Sequence, residues 1–257
     1  MLFIGHGSPM NALEDNAFTR GLAELAALCP SPRAVLCISA HWMTTGGTWV
    51  THMPQPKTIH DFYGFPDALF AVQYPAPGSP EVAELVASTV KVPPISMDDT
   101  QWGLDHGAWS VLRHVYPAAN VPVVQLSLDM TQPPTFHFQL GARLKALRQQ
   151  GVFIIASGNL VHNLGRIRWE PNAAPYPWAE EFDAWTKQAL LNRDFDALIN
   201  DFNATDAGRL SVPSLDHYLP LLYVLGATEA SDILDFEFEE IHHGSIAMRT
   251  FSVRTHG

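Results

Sequence analysis

The chain has 257 residues, 47% hydrophobic and 16% charged, a balance that implies a compact globular protein with a sizeable core. A formal net charge of −11 with no long basic run argues against nucleic acid or an anionic membrane as partner. The absence of any stretch near the ~20 apolar residues of a membrane span, of a basic-then-apolar leader and of a C-x-x-C pair predicts a cytoplasmic protein with two reduced thiols, Cys29 and Cys37.

The elements alternate. "LFI" is a short apolar run leading into Gly-His-Gly-Ser-Pro, and "NAFTRGLAELAALC" has helical spacing, with Leu22, Leu25, Ala26 and Cys29 on one face. "RAVLCISA" is apolar at nearly every position, as a strand covered on both faces requires. "TWVTHM" alternates like a strand. "SPEVAELVASTV" opens as a helix, with Ser79 as N-cap and Pro80 in the first position. A helix over "HGAWSVLRHVY", a strand over "VPVVQLSL", a helix over "PPTFHFQLGARLKALRQQG" closing at Gly151 and a strand over "VFIIASG" follow. "PWAEEFDAWTKQALL" and "FDALINDF" are helical. "SLDHYLPLLYVLG" is an apolar helix that Asp216 can cap and Gly226 can close. "ILDFEFEEI" and "SIAMRTFSV" are late, antiparallel strands. No repeat, low-complexity segment or Gly/Ser linker divides the chain, and no coiled-coil seam marks an oligomer. The pattern predicts one α/β domain over residues 1–257, with a central mixed, mainly parallel sheet flanked by helices.

Twelve histidines are the unusual count. In an open α/β sheet, ligands bind beyond the carboxyl ends of the strands. Three predicted strands lead there to a histidine: His6, His41 and His162. A fourth, His217, opens the apolar helix. Three or four neutral imidazoles suit Fe(II) or Zn(II). No H-E-x-x-H pair is present, so the pattern is not that of a metalloprotease helix. His52, His114, His137, His242, His243 and His256 are expected to be ordinary solvated or hydrogen-bonded histidines. "TIHDFYGFP" sets His60 and Asp61 in an aromatic loop, and "WGLDHGAW" sets His106 between glycines and tryptophans. Both are either self-packed loops or a lid over a planar apolar ligand.

Seven segments in order, "GHGSPMN", "SAHW", "TIHDFYGFP", "YPAPGSP", "WGLDHGAW", "SGNLVHN" and "HYLPLLYVLGA", resemble the DOPA-type extradiol ring-cleavage dioxygenases of the class III, LigB-like superfamily. The resemblance spans nearly the whole chain. It implies a single α/β domain with a divalent metal at the carboxyl edge of a mixed sheet. His6, His41 and His217 are the implied metal ligands. His162 is the implied acid/base beside the metal, within possible reach of it as a further ligand. His106 is carried over as a second active-site histidine. Many class III enzymes use two histidines and a glutamate. His217 at the glutamate position leaves the site one charge less negative and suits zinc as well as iron, with Glu240 as the fallback carboxylate.

The implied reaction inserts O2 into a catechol ring, DOPA-like, beside its two hydroxyls and gives a ring-opened semialdehyde. Fe(II) serves turnover, and Zn(II) suits the protein as isolated, without redox chemistry. The partners are a small aromatic diol and O2. His162 takes a phenolic proton and later returns one. His106 and His60 are placed to hydrogen-bond the oxygen species or the substrate's side group, and Trp42, Trp102 and Phe62 to wall the ring. Two other classes stay open on the same histidines: a zinc-dependent hydrolase using a metal-bound hydroxide, and a metal or aromatic binding protein without turnover.

Overall fold

Residues 1–28, 31–170 and 173–255 are described in the computed structural model, so Cys29 and His256 lie outside the described residues. The strands are β1 (Leu2–Gly5), β2 (Ala34–Thr44), β3 (Thr48–Thr51), β4 (Ile95–Asp98), β5 (Val123–Asp129), β6 (Val152–Gly158), β7 (Ile233–Phe238), β8 (Ile241–His242), β9 (Ile246–Ala247) and β10 (Thr250–Arg254). The helices are α1 (Ala17–Glu24), α2 (Asp67–Phe70), α3 (Pro80–Thr89), α4 (His106–Val115), α5 (Pro134–Leu144), α6 (Pro177–Asn192), α7 (Phe195–Asn200), α8 (Asp206–Ser211) and α9 (Leu219–Ala227).

Eight strands form one sheet in the order β4-β3-β5-β2-β6-β1-β10-β7, and β8 and β9 form a separate hairpin pair. The central strands β5, β2, β6 and β1 are mutually parallel. Antiparallel pairings enter at β3–β5, β1–β10 and β10–β7, which makes the sheet mixed and mainly parallel. Alternate residues of the buried strands feed two cores, one on each face. Val35 and Cys37 of β2 join Phe18 and Leu22 of α1 and Leu112 and Val115 of α4. Leu36 and Ile38 join Leu140 and Leu144 of α5 and Leu221 and Leu222 of α9. This is the single α/β domain that strand–helix alternation predicts.

Several local expectations shift. β2 does not stop before His41 but runs on to Thr44. Its parallel pairing with β5 slips between Ile38↔Leu126 and Met43↔Leu128, five steps along β2 against two along β5. The extra residues bulge, and His41 projects from that bulge. β6 ends at Gly158, four residues before His162. The 134–150 helix is α-helical only to Leu144 and tightens into a 3₁₀ turn over Lys145–Gln150, ended by Gly151 at φ 77°.

α9 starts at Leu219 with Tyr218 as N-cap, so Asp216 is not its cap; that carboxylate is taken by His217. Gly226 lies within α9 and does not close it. A Cβ there would come 2.0 Å from the Phe138 carbonyl, so the glycine lets α9 press against α5. β4, α2 and α8 escape the sequence pattern because segments of four to six residues give too few periods to read, and β4 follows directly on Pro93-Pro94.

Candidate metal centre

The turn after β1 carries His6. Gly7 sits at φ +62°, and a Cβ on it would overlap the Met248 side chain, so glycine is required on both counts. The His6 carbonyl accepts from Asn11 Nδ2 at 3.2 Å. Its ring is 1% exposed. Ser157, which pairs with Ile4 in the parallel β1–β6 ladder, donates its hydroxyl proton to the Gly107 carbonyl at 2.6 Å. Ser157 Oγ can therefore only accept from His6 Nδ1, 3.0 Å away. The proton is thus on Nδ1 and the lone pair on Nε2.

The same logic holds for His217. Its Nδ1 lies 2.5 Å from Asp216 Oδ2, an oxygen that can only accept, which again leaves Nε2 as the lone pair. The His217 segment is drawn onto the end of β6 by Asn159 N–H donating to the His217 carbonyl at 2.9 Å. A Cβ on Gly158 would come 2.2 Å from that carbonyl. His41 directs Nδ1 toward Asp61 Oδ2 at 3.4 Å. Its Nε2 stands 3.2 Å from His6 Nε2. One donor nitrogen each from His6, His41 and His217 falls within 4.8 Å of the others.

Two nitrogens bound to one divalent metal at about 2.0–2.1 Å stand roughly 3.0–3.4 Å apart. The His6–His41 separation fits that spacing; without a metal, a protonated His41 Nε2 can donate to His6 Nε2 at the same distance. Nδ1 of His6 and of His217 is held by a hydroxyl or carboxylate, the arrangement that fixes the tautomer of a metal-binding imidazole, and Asp61 stands near Nδ1 of His41. The residues therefore fit a divalent metal held by three neutral imidazoles.

His162 follows β6, with its N–H donated to the Ser211 carbonyl at 2.9 Å. Its ring stacks on His217, centroids 3.4 Å apart and planes 7° from parallel. It groups with Asp216 and His217 and not with the set of His6 and His41. His106, the first residue of α4, lies with its ring 3.9 Å from that of His41 and 5.6 Å from that of His6.

Burial drives the acid–base state of the cluster. The pKa of His41 falls to about 3 and that of His162 to about 4, in both cases chiefly because burial penalises the charged ring. His6 and His217 are also pushed well below the usual histidine range, first by burial and then by neighbouring imidazoles. A depressed folded-state pKa means the unfolded chain binds protons that the folded chain refuses. The metal-free protein should therefore lose stability as pH falls from 6.5 toward about 3. Thermal unfolding of metal-free protein across that range checks this, and zinc affinity should weaken over the same interval as protons compete for the ligands.

Two carboxylates complete the site. Asp61 takes the His106 backbone N–H on Oδ1 at 2.8 Å and His106 Nδ1 on Oδ2 at 2.9 Å. Burial alone would raise its pKa, but the His106 hydrogen bond, the charges of His106 and His41 and the backbone bond hold it below the usual value. Asp105, fully buried, caps α4 and accepts from Ser39 Oγ at 2.6 Å, from Gln125 and from Trp102 Nε1 at 3.3 Å. Burial, then repulsion from Asp61, raises it to about 6 against the Ser39 and Gln125 hydrogen bonds. Neither aspartate drew a role from the sequence. The signal lay beside the histidines chosen, in "HDF" and "DHG".

His60 lies in the aromatic loop. Its Nε2 donates to the Val72 carbonyl at 2.9 Å, and its ring lies among Phe62, Phe70 and Trp109. Phe62 meets His106 edge-on at 5.6 Å. Trp42 and Trp102 stack at 5.7 Å, with planes 4° apart. Glu240 is exposed and bound to His242 at 2.9 Å, away from the three-imidazole set. The histidines expected to be ordinary have ordinary partners: His52 with Asp99, His114 with the Asn11 carbonyl, His137 with Tyr223 and His243 with the Arg168 carbonyl.

Comparison with known proteins agrees with this geometry. A 4,5-DOPA dioxygenase extradiol of Escherichia coli K12 is 45% identical over 255 residues, covering 98% of this chain and 93% of the relative. A protein of the same name from Mirabilis jalapa is 37% identical over 230 residues, covering 88% of this chain and 85% of the relative. The crystal structure of an uncharacterized protein from Escherichia coli K12 superposes with a TM-score of 0.85 at 42% identity, over 97% of both chains. The family described as the catalytic LigB subunit of aromatic ring-opening dioxygenase matches residues 1–253. With a family match over nearly its full length and a histidine cluster at the carboxyl edge of its sheet, the chain belongs to the LigB family of aromatic ring-opening dioxygenases.

Proposed function

We propose that the protein is an extradiol dioxygenase that opens the ring of a DOPA-like catechol beside its two hydroxyls, giving a ring-opened semialdehyde. The observation that carries the proposal is the convergence of His6, His41 and His217. The names of the relatives, 4,5-DOPA dioxygenase extradiol, supply the substrate class. Divalent iron held by these three histidines supplies the redox chemistry that joins a catechol to dioxygen, and zinc in the same place does not.

The chain's own residues divide the remaining work. Ser157 and Asp216 hold Nδ1 of His6 and His217, so that Nε2 of both is aimed before the metal arrives. His162, neutral at working pH, takes the phenolic proton on a ring nitrogen and returns it as the ring opens. His106 is a second group for the substrate's oxygens. Phe62, packed on His106, and the stacked Trp42–Trp102 pair wall an aromatic ring. His60 braces the aromatic loop through Val72. The acidic chain favours a small diol over nucleic acid. A cytoplasmic setting accords with Cys37, a buried free thiol. No described helix is long and apolar enough to cross a membrane.

The test is oxygen uptake and near-visible absorbance after anaerobic loading with Fe(II), with DOPA and simple catechols as substrates and zinc-loaded protein as control. A yellow product that requires iron and consumes one O2 per ring is the expected outcome. Steady ester or amide turnover with zinc, and none with iron and oxygen, would replace this reading with a hydrolase.

A further inference from the structure

Asp61 faces both His41 and His106, and the ring-cleavage reading assigns it no role of its own. Its Oδ1 accepts the His106 backbone N–H at 2.8 Å and its Oδ2 accepts from His106 Nδ1 at 2.9 Å. The nearest approach to His41 Nδ1 is longer, 3.4 Å. An ionised carboxylate can only accept, so the proton of His106 lies on Nδ1 and the lone pair on Nε2.

The loop that carries Asp61 is anchored against the segment that opens α4. Ile59 N–H donates to the Leu104 carbonyl at 2.7 Å, Leu104 N–H to the Lys57 carbonyl at 2.8 Å, and Trp109 Nε1 to the Ile59 carbonyl at 2.8 Å. A Cβ on Gly103 would stand 2.3 Å from the Lys57 carbonyl, so the two strands lie as close as backbones can. A carboxylate fixed this firmly at both oxygens sets the rotation of the ring it holds. That ring touches His41 on one side, at 3.9 Å, and Phe62 edge-on, at 5.6 Å.

We propose that Asp61 is a positioning residue that fixes the tautomer and orientation of His106, so that His106 offers an unprotonated Nε2 to the bound aromatic diol. The role at the diol rests on the ring-cleavage reading; the tautomer does not. Asp61→Asn separates the two. The amide has one accepting oxygen; with that oxygen on the backbone N–H, its NH2 faces Nδ1 and moves the ring proton to Nε2. Long-range ¹H–¹⁵N spectra of histidine-labelled, zinc-loaded protein, with His106 assigned from His106→Ala, should show Nδ1–H in the wild type and Nε2–H in the variant. The iron-loaded variant should keep one metal per chain and lose about 10²- to 10³-fold in kcat, with KM changed by less than about threefold. In a His106→Ala background the same substitution should cost no more than about twofold.

An Nε2–H tautomer of His106 in the wild type overturns the proposal without any variant. So does an additive loss in the double variant. A second equivalent of zinc, bound by the wild type and lost with Asp61, also overturns it, since His41, Asp61 and His106 would then be a metal site. If the wild type opens no catechol, the ring-cleavage reading fails, while the tautomer spectra still decide the role of Asp61.

Discussion

His41→Ala is expected to remove bound metal and ring-cleaving activity together, without loss of fold. The side chain projects from a bulge in β2 rather than from the packed core, and its ring is held only through Asp61 and the neighbouring imidazoles. Its Nε2 faces His6 Nε2 at 3.2 Å, a separation that suits two nitrogens on one shared cation. Loss of a partner outside the ligand set typically costs 10- to 100-fold in metal affinity, so loss of one of three ligands should cost at least about 100-fold. Activity should fall to background, and added Fe(II) should restore little of it.

The fold readout has the opposite sign from that of a structural histidine. The metal-free variant should melt no lower than metal-free wild type, because removing the His41 ring removes the cost of burying it. The stabilisation that zinc gives the wild type should disappear. Metal stoichiometry by elemental analysis and thermal unfolding with and without zinc measure both. A variant that keeps its metal but melts lower would make His41 a structural residue and leave the metal elsewhere.

The parts of the site that could be read from the chain are those with a strong local signature. Gly5-His6-Gly7 after an apolar run marks a tight turn at a strand end, and φ +62° at Gly7 is the conformation such a turn needs. The buried strands announce themselves by being apolar at nearly every position, and their parallel order brings distant histidines to one edge. The bulge in β2 has no such signature. It arises from slippage against β5, a property of two strands and not of one. Asp61 and Asp105 were equally hidden. Each stands next to a histidine, but what matters is a contact with a residue about 45 or 66 positions away, and spacing along one chain does not encode it. Within one loop the fold turns His60 toward Val72 and Asp61 toward His106.

His162→Ala is expected to do what His41→Ala does not: abolish turnover while leaving the metal in place. The expectation rests on where the ring lies. His162 stacks face to face on His217 at 3.4 Å, and a ring lying flat on a ligand is poorly placed to direct its own nitrogen at the atom that ligand holds. Its ligand-type nitrogen groups with His217 and Asp216 but not with His6 and His41. Burial lowers its pKa to about 4, so at neutral pH it arrives with a free lone pair to accept a proton. Removing such a group should lower kcat by about 10²- to 10⁴-fold. If His162 moves protons only in the transition state, kcat and kcat/KM should fall by the same factor with KM unchanged. Phe62→Ala makes the contrast: loss of an apolar wall should raise KM more than it lowers kcat. His162→Gln keeps a planar polar group over His217 but cannot shuttle a proton, so it should be as inactive as the alanine variant while binding metal at least as well. Full loss of metal from both His162 variants would instead make His162 a fourth ligand, and the proton would then have to pass through His106, whose Nδ1 is held by Asp61.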